Sequence, residues 1–250
     1  DDPEVYVVPP TLSFQLVLEA NTRIEDHLEE AGKQRYIISD DEFAQPRKLY
    51  QFASRMMELD ASIVCHFGDP VDCIGNPVSY DPAERAEQAE RRRRYVLDGE
   101  GAVEHDTQRD TIYTNRLANA LLEAWPRYSH AMVTHVAAFA AWQCLEREVG
   151  SDDPFRLVRV PEGKRTFPQH VYMERLRAVV DGVKKGALDG RWHCQLPDSA
   201  EGTLDAALDR FGRYHRSRAL QRVGSSIVIG DPRLCFYYRN RLAHAAEALA

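Results

Sequence analysis

Hydrophobic positions cluster at the start of the chain as Val5-Tyr6-Val7-Val8, which meets Pro9-Pro10 and continues through Thr11-Leu12-Ser13 to Phe14. A β-branched run closed by proline reads as a strand that ends where no ladder donor is needed. Leu16, Val17, Ala20, Ile24 and Leu28 then recur at helical spacing, which predicts a helix from Phe14 to Ala31 with Gly32 as its stop. Asp40 and Asp41 precede a second helical stretch with Leu49, Phe52, Met56 and Leu59 on one face. Residues 61–67 read as a strand closed by Gly68-Asp69-Pro70. Two apolar strands joined through helices predict a small, mostly parallel sheet covered by helices, because a parallel connection must cross one face of the sheet.

From Tyr80 to Gly101 the apolar period disappears. Glu87 and Arg91, and Glu90 and Arg94, stand four apart in the favourable Glu-first order, so this segment reads as a solvated helix or insertion. Helical periods return in Tyr113, Leu117, Leu121 and Trp125, and again in Met132, Val136, Ala140 and Cys144 up to Gly150. Pro168 opens another helix carrying Val171, Leu176, Val179 and Val183, and Asp198 or Ser199 caps one carrying Leu204, Leu208 and Phe211. Phe155 to Val160 and Ser226 to Ile229 read as short β runs, and Asp231-Pro232 as the N-cap and first position of a final helix. The expected fold class is α/β: the sheet first, then a mainly helical C-terminal extension. The expected division is 1–75, a polar linker or insertion at 76–108, and 109–250.

Composition narrows the function classes. A net charge of -7 argues against a nucleic-acid binder, which needs clustered Lys and Arg to neutralise phosphates; the local exception is Arg91 to Arg94. That run could attract anionic lipid headgroups or a CoA phosphate, although the neighbouring glutamates offset its field. The five cysteines are scattered and form no C-x-x-C pair, so neither a disulfide framework nor a zinc site is indicated, and a reducing compartment fits. The longest apolar stretch, Ala131 to Leu145, is interrupted by Thr134, His135 and Gln143 and is shorter than the ~20 residues that span a bilayer. His130 and His135 stand five apart and would not share a helix face, so a structural role is expected for both.

Three blocks carry a family resemblance: Val7-Val8-Pro9-Pro10-Thr11-Leu12 with Leu16-Val17-Leu18-Glu19-Ala20, then Val64-Cys65-His66-Phe67-Gly68-Asp69-Pro70-Val71, then Leu234-Cys235-Phe236-Tyr237-Tyr238-Arg239-Asn240-Arg241-Leu242. In order and approximate spacing they resemble the glycerol-3-phosphate acyltransferases and their 1-acylglycerol-3-phosphate relatives, in the region after the catalytic blocks. The resemblance implies transfer of a fatty acyl group from a thioester, acyl-CoA or acyl carrier protein as co-substrate, to a hydroxyl of glycerol phosphate or lysophosphatidate in phospholipid synthesis. It implies no further cofactor, no nucleic acid, and a cytoplasmic protein held peripherally at the inner face of the cell membrane. Residues 1–75 would be the C-terminal part of the acyltransferase domain, with Pro9, Pro10 and Thr11 bordering the acceptor pocket and Glu19 near that corner.

The family's base is a His in an H-x-x-x-x-D motif, because an alcohol is a poor nucleophile until a positioned imidazole takes its proton. The resemblance places that motif before Asp1, so no catalytic residue is expected here and the chain is expected to be inactive alone. Two H-x-x-x-x-D strings do occur, His105 to Asp110 and His193 to Asp198. The second runs into Glu201-Gly202-Thr203, an echo of a family block that lies several dozen residues further on in the family. A surface His beside a capping Asp is the plainer reading of each. Phe236-Tyr237-Tyr238 is expected to lock the last helix onto the body of the fold. The alternative to an acyltransferase is a non-catalytic helical interaction or regulatory domain; a third reading, an enzyme using His105 or His193, predicts that alanine at either abolishes activity.

Overall fold

A computed structural model describes residues 5–17, 20, 21, 23, 24, 62–103, 105–213, 215 and 217–249. The predicted helix at 49–59, and the positions of Leu18, Glu19, Leu28 and Gly32, lie outside them. The chain divides into two compact units, 1–12 with 64–129 and 13–63 with 130–250. The fold is mixed α/β.

In the first unit, β1 (Tyr6–Val7) pairs antiparallel with β4 (Val71–Asp72). β2 (Pro10–Phe14) pairs with β3 (Ile63–Phe67), and both strands continue past the division between the units. Gly68 donates its N–H to the Pro9 carbonyl (2.9 Å) and Gln15 donates to the Ser62 carbonyl (3.0 Å), so β2 and β3 run in opposite directions. The strand therefore extends through Phe14, where the periodicity predicts helix. Helical backbone begins only at Ala20 among the described residues. Pairing with β3, together with burial of Thr11 and Ser13, overrides the helical spacing that starts at Leu16.

Helix α1 (Pro82–Arg94) starts at Asp81, whose carboxylate accepts from the Ala83 and Glu84 N–H groups, and it has no buried residue. That matches a solvated helix, with one difference: Arg92 folds inward, its side chain only 12% exposed, to reach Asp72 (3.9 Å) and lie over the Tyr6 ring. Helix α2 (Thr107–Tyr128) is capped by Asp106 and buries only Tyr128.

The second unit is built around helix α3 (Val133–Val149), in which every residue from Val133 to Trp142 is buried. A helix apolar on all sides must be enclosed. Packed against it are α5 (Gln169–Leu188), α6 (Ala200–Arg213), α7 (Pro232–Arg239) and the 3-10 segment Asn240–Leu249. Alanines 137, 138, 140 and 141 admit neighbours to the backbone itself: Tyr172 Oη donates to the Ala137 carbonyl (3.1 Å) and Cys235 Sγ to that of Ala138 (3.6 Å). The expected caps are in place, with Ser199 Oγ accepting from Gly202 N (3.0 Å) and Asp231 from Arg233 N and Leu234 N (both 3.0 Å).

Phe155 to Val160 is not a strand. Asp153 caps Phe155 N (2.9 Å) and Pro154 sits at the first position of the short helix α4 (Pro154–Leu157), so cap chemistry outweighs the β-branched residues around it. The strands of this unit are β5 (His130–Met132), parallel to β7 (His193–Gln195), and an antiparallel set in which β9 (Ser226–Ile229) lies between β6 (Thr166–Pro168) and β8 (Leu220–Val223). The described strands thus form small sheets of both kinds, where a mostly parallel sheet was expected. Helical sequence between two apolar strands leaves their direction open, because a long connection can join strands either way.

Candidate functional site

Proline at the first position of β2 leaves alternate side chains to define its two faces. Pro9, Thr11 and Ser13 are buried, whereas Pro10 and Leu12 are exposed. Thr11 Oγ1 donates to the Tyr128 carbonyl (2.7 Å), so this predicted pocket residue anchors the end of α2. Pro9 is held through its carbonyl by Gly68.

Tyr128 organises the turn after β3. His66 stacks on its ring at 5.2 Å, Asp69 N donates to its hydroxyl (2.9 Å), and that hydroxyl donates to Asp69 Oδ2 (2.9 Å). Gly68 lies against the ring face, where a Cβ would stand only 2.7 Å from Cζ and closer still to Cε2. Tyr80 Oη donates to Asp69 Oδ1 (3.2 Å), and that bond to a carboxylate raises the pKa of its hydroxyl. His66, Gly68 and Asp69 of the family-like block therefore all meet one aromatic ring that sequence reading missed. The available signal was a tyrosine at the end of a helical period just after Pro126. Asp72 pins the next turn, accepting from Ile74 N and Asn76 N (both 2.9 Å) and Asn76 Nδ2 (3.0 Å). An open groove of about 490 Å³ in this unit is lined by Gly75, Asn115, Arg116, Asn119 and Glu123 among others, and none of Pro9, Pro10 or Thr11 lines it.

In the second unit, residues 13–17 dock on the start of α3 and on the C-terminal block. Ser13 Oγ accepts from His130 N (3.0 Å) and Thr134 Oγ1 donates to the Gln15 carbonyl (2.6 Å). His135 Nε2 contacts the Phe14 carbonyl (3.0 Å) while Nδ1 accepts from Met132 N (3.4 Å), which fixes the proton on Nε2. Val17 N donates to Tyr238 Oη (3.0 Å), and Tyr238 Oη in turn meets His215 Nε2 (2.8 Å). Burial lowers the pKa of both His135 and His215 to about 4, so both rings are neutral at physiological pH. Burial raises the thiols of Cys144, Cys194 and Cys235, which leaves none of these three as a ready thiolate.

Neither H-x-x-x-x-D string forms a buried acid–base pair. His105 Nδ1 lies 3.7 Å from Asp110 Oδ2 with both side chains exposed, and Asp106 is the residue that caps α2. His193 instead stacks on His130, ring centroids 4.8 Å apart, while the Asp198 carbonyl accepts from Lys184 Nζ (2.8 Å). Glu201 is bonded to Arg177 (2.5 Å), which lowers its pKa. Tyr238 is buried as expected; Arg239 lies over Phe139 and Phe236, and Arg241 bonds Tyr237. Among the described residues no helix is long and apolar enough to cross a membrane. No family model, curated protein or solved structure matches the chain.

Proposed function

We propose that this chain is the non-catalytic, C-terminal portion of a glycerolipid acyltransferase, which moves a fatty acyl group from a thioester to a hydroxyl of glycerol 3-phosphate or 1-acylglycerol 3-phosphate. The observation that carries the reading is that its three family-like blocks are hydrogen-bonded partners in sequence-distant pairs. The Pro9 carbonyl takes the Gly68 N–H, and Val17 N–H is given to Tyr238 Oη, across 221 residues.

Acyl transfer needs an imidazole base that reaches the acceptor hydroxyl. On this reading the base belongs to polypeptide outside this sequence; His135 and His215 are buried and bonded, and His105 sits exposed beside Asp110. β2 then borders the acceptor pocket. Exposed Ile112, Leu122 and Trp125 on α2 supply apolar surface for peripheral contact with a membrane.

The test is acyl transfer from acyl-CoA to radiolabelled glycerol 3-phosphate and to 1-acylglycerol 3-phosphate, by this chain alone and by the full product of its gene. Turnover by the full product and none by the chain alone is expected. Robust turnover by the isolated chain, or none by an intact, folded full product with either acceptor, would overturn the proposal.

A further inference from the structure

β5 and β7 are adjacent parallel strands, and their register sets His130 directly opposite His193. Registered residues of neighbouring strands stand about 4.8 Å apart on the same face. The two imidazoles follow that spacing, with centroids at 4.8 Å and planes only 16° apart. Their nearest ring nitrogens lie within 4.8 Å of one another. Two imidazolium rings so placed would repel, as like charges directly opposite on a sheet do. A neutral imidazole offers one nitrogen lone pair to a ligand.

Both strands are held from behind. The His130 N–H is fixed by Ser13 Oγ (3.0 Å). Trp192, next to His193, is buried and donates Nε1–H to the Val183 carbonyl (2.9 Å), with its ring lying flush against Gly186. Side chains presented by backbone anchored in this way form a pre-organised pair. Cys194 falls on the opposite face of β7 by strand alternation, so its thiol is not part of this pair.

We infer that His130 and His193 together bind a divalent first-row transition cation that prefers imidazole, of the Cu²⁺, Ni²⁺ or Zn²⁺ type. Metal–imidazole bonds of ~2.0–2.1 Å at a tetrahedral angle place two nitrogens about 3.4 Å apart. To point both in-plane lone pairs at one ion the two rings must turn out of the observed stack. Carboxylate-seeking Mg²⁺ and Ca²⁺ are not expected there, and among the accepted cations Cu²⁺ should bind tightest. This inference does not depend on the acyltransferase reading.

The experiment titrates the full chain with Cu²⁺ and, separately, with Zn²⁺, by calorimetry, and records the electron paramagnetic resonance spectrum of the Cu²⁺ form. Parallel titrations use His130→Ala, His193→Gln and, as a control on the exposed imidazoles, His105→Ala. Metal-free circular dichroism melts confirm that each variant folds; His193→Gln keeps a polar side chain on β7 in case His130→Ala does not fold. The expected result is one site whose affinity falls at least tenfold in His193→Gln and in folded His130→Ala but is unchanged in His105→Ala, with nitrogen hyperfine splitting from two imidazoles in the parent. Equal affinity in the parent and in His193→Gln, or a spectrum without two coupled nitrogens, would overturn the inference.

Discussion

Replacing Tyr238 with Phe removes one oxygen and leaves the packing intact, which isolates the link between the N-terminal and C-terminal blocks. The hydroxyl is fully enclosed, accepts from Val17 N (3.0 Å) and meets His215 Nε2 (2.8 Å). Without it a buried backbone N–H and a buried imidazole nitrogen lose these partners. Each buried polar group left unmet costs about 1–3 kcal/mol, so Tyr238→Phe should destabilise the second unit by about 2–6 kcal/mol. Urea unfolding at pH 7, followed by the fluorescence of buried Trp142 and Trp192, measures this directly. The companion variant His215→Leu removes one of the two groups that meet the Tyr238 hydroxyl. Tyr238→Phe made in that background should therefore cost less than it does in the parent, by about 0.5–3 kcal/mol of coupling. A change below about 0.5 kcal/mol for Tyr238→Phe in the parent would refute the network as a structural tie.

Acid should weaken the second unit, because His135 and His215 titrate near 4 when folded and near 6.5 when unfolded. Between those values the unfolded chain holds more protons, so stability is fully present above about pH 6.5 and falls as pH drops toward 4, by up to about 3 kcal/mol for each imidazole. Urea midpoints measured from pH 7.5 to 4.5 check the sign, and a midpoint that rises on acidification would contradict it. Gly68→Ala should destabilise the first unit by about 1–3 kcal/mol, since the new methyl meets the Tyr128 ring while Asp69 holds that ring by its hydroxyl. Faster proteolytic cleavage within 64–129 is the readout; parent-like resistance would show that the ring can yield.

Helix positions were legible wherever the apolar period was strong, as in α3 and α5, and wherever Asp or Ser preceded Pro or a helical run, as at Asp231. The extent of β2 was not, because a strand that continues to Phe14 depends on a partner some fifty residues away, and local spacing cannot report that. Phe155 to Val160 misled for the opposite reason: the cap at Asp153 acts over two residues and outvotes the β-branched positions that follow. Of the candidate site, the packing role of Tyr238 was readable from its aromatic cluster, but its hydroxyl bonds to Val17 and His215 were not. Pairing of His130 with His193 was invisible for the same reason, since only the register of β5 on β7 brings residues 63 positions apart face to face.

Enclosure of α3 also sets an order of events during biosynthesis. The backbone amide of Val17 must await a phenol that leaves the ribosome 221 residues later. At about 5–20 residues per second that interval lasts roughly 10–40 s. Throughout it the alanine-rich helix lacks its final cover, so this is the period in which a holding chaperone has most to protect.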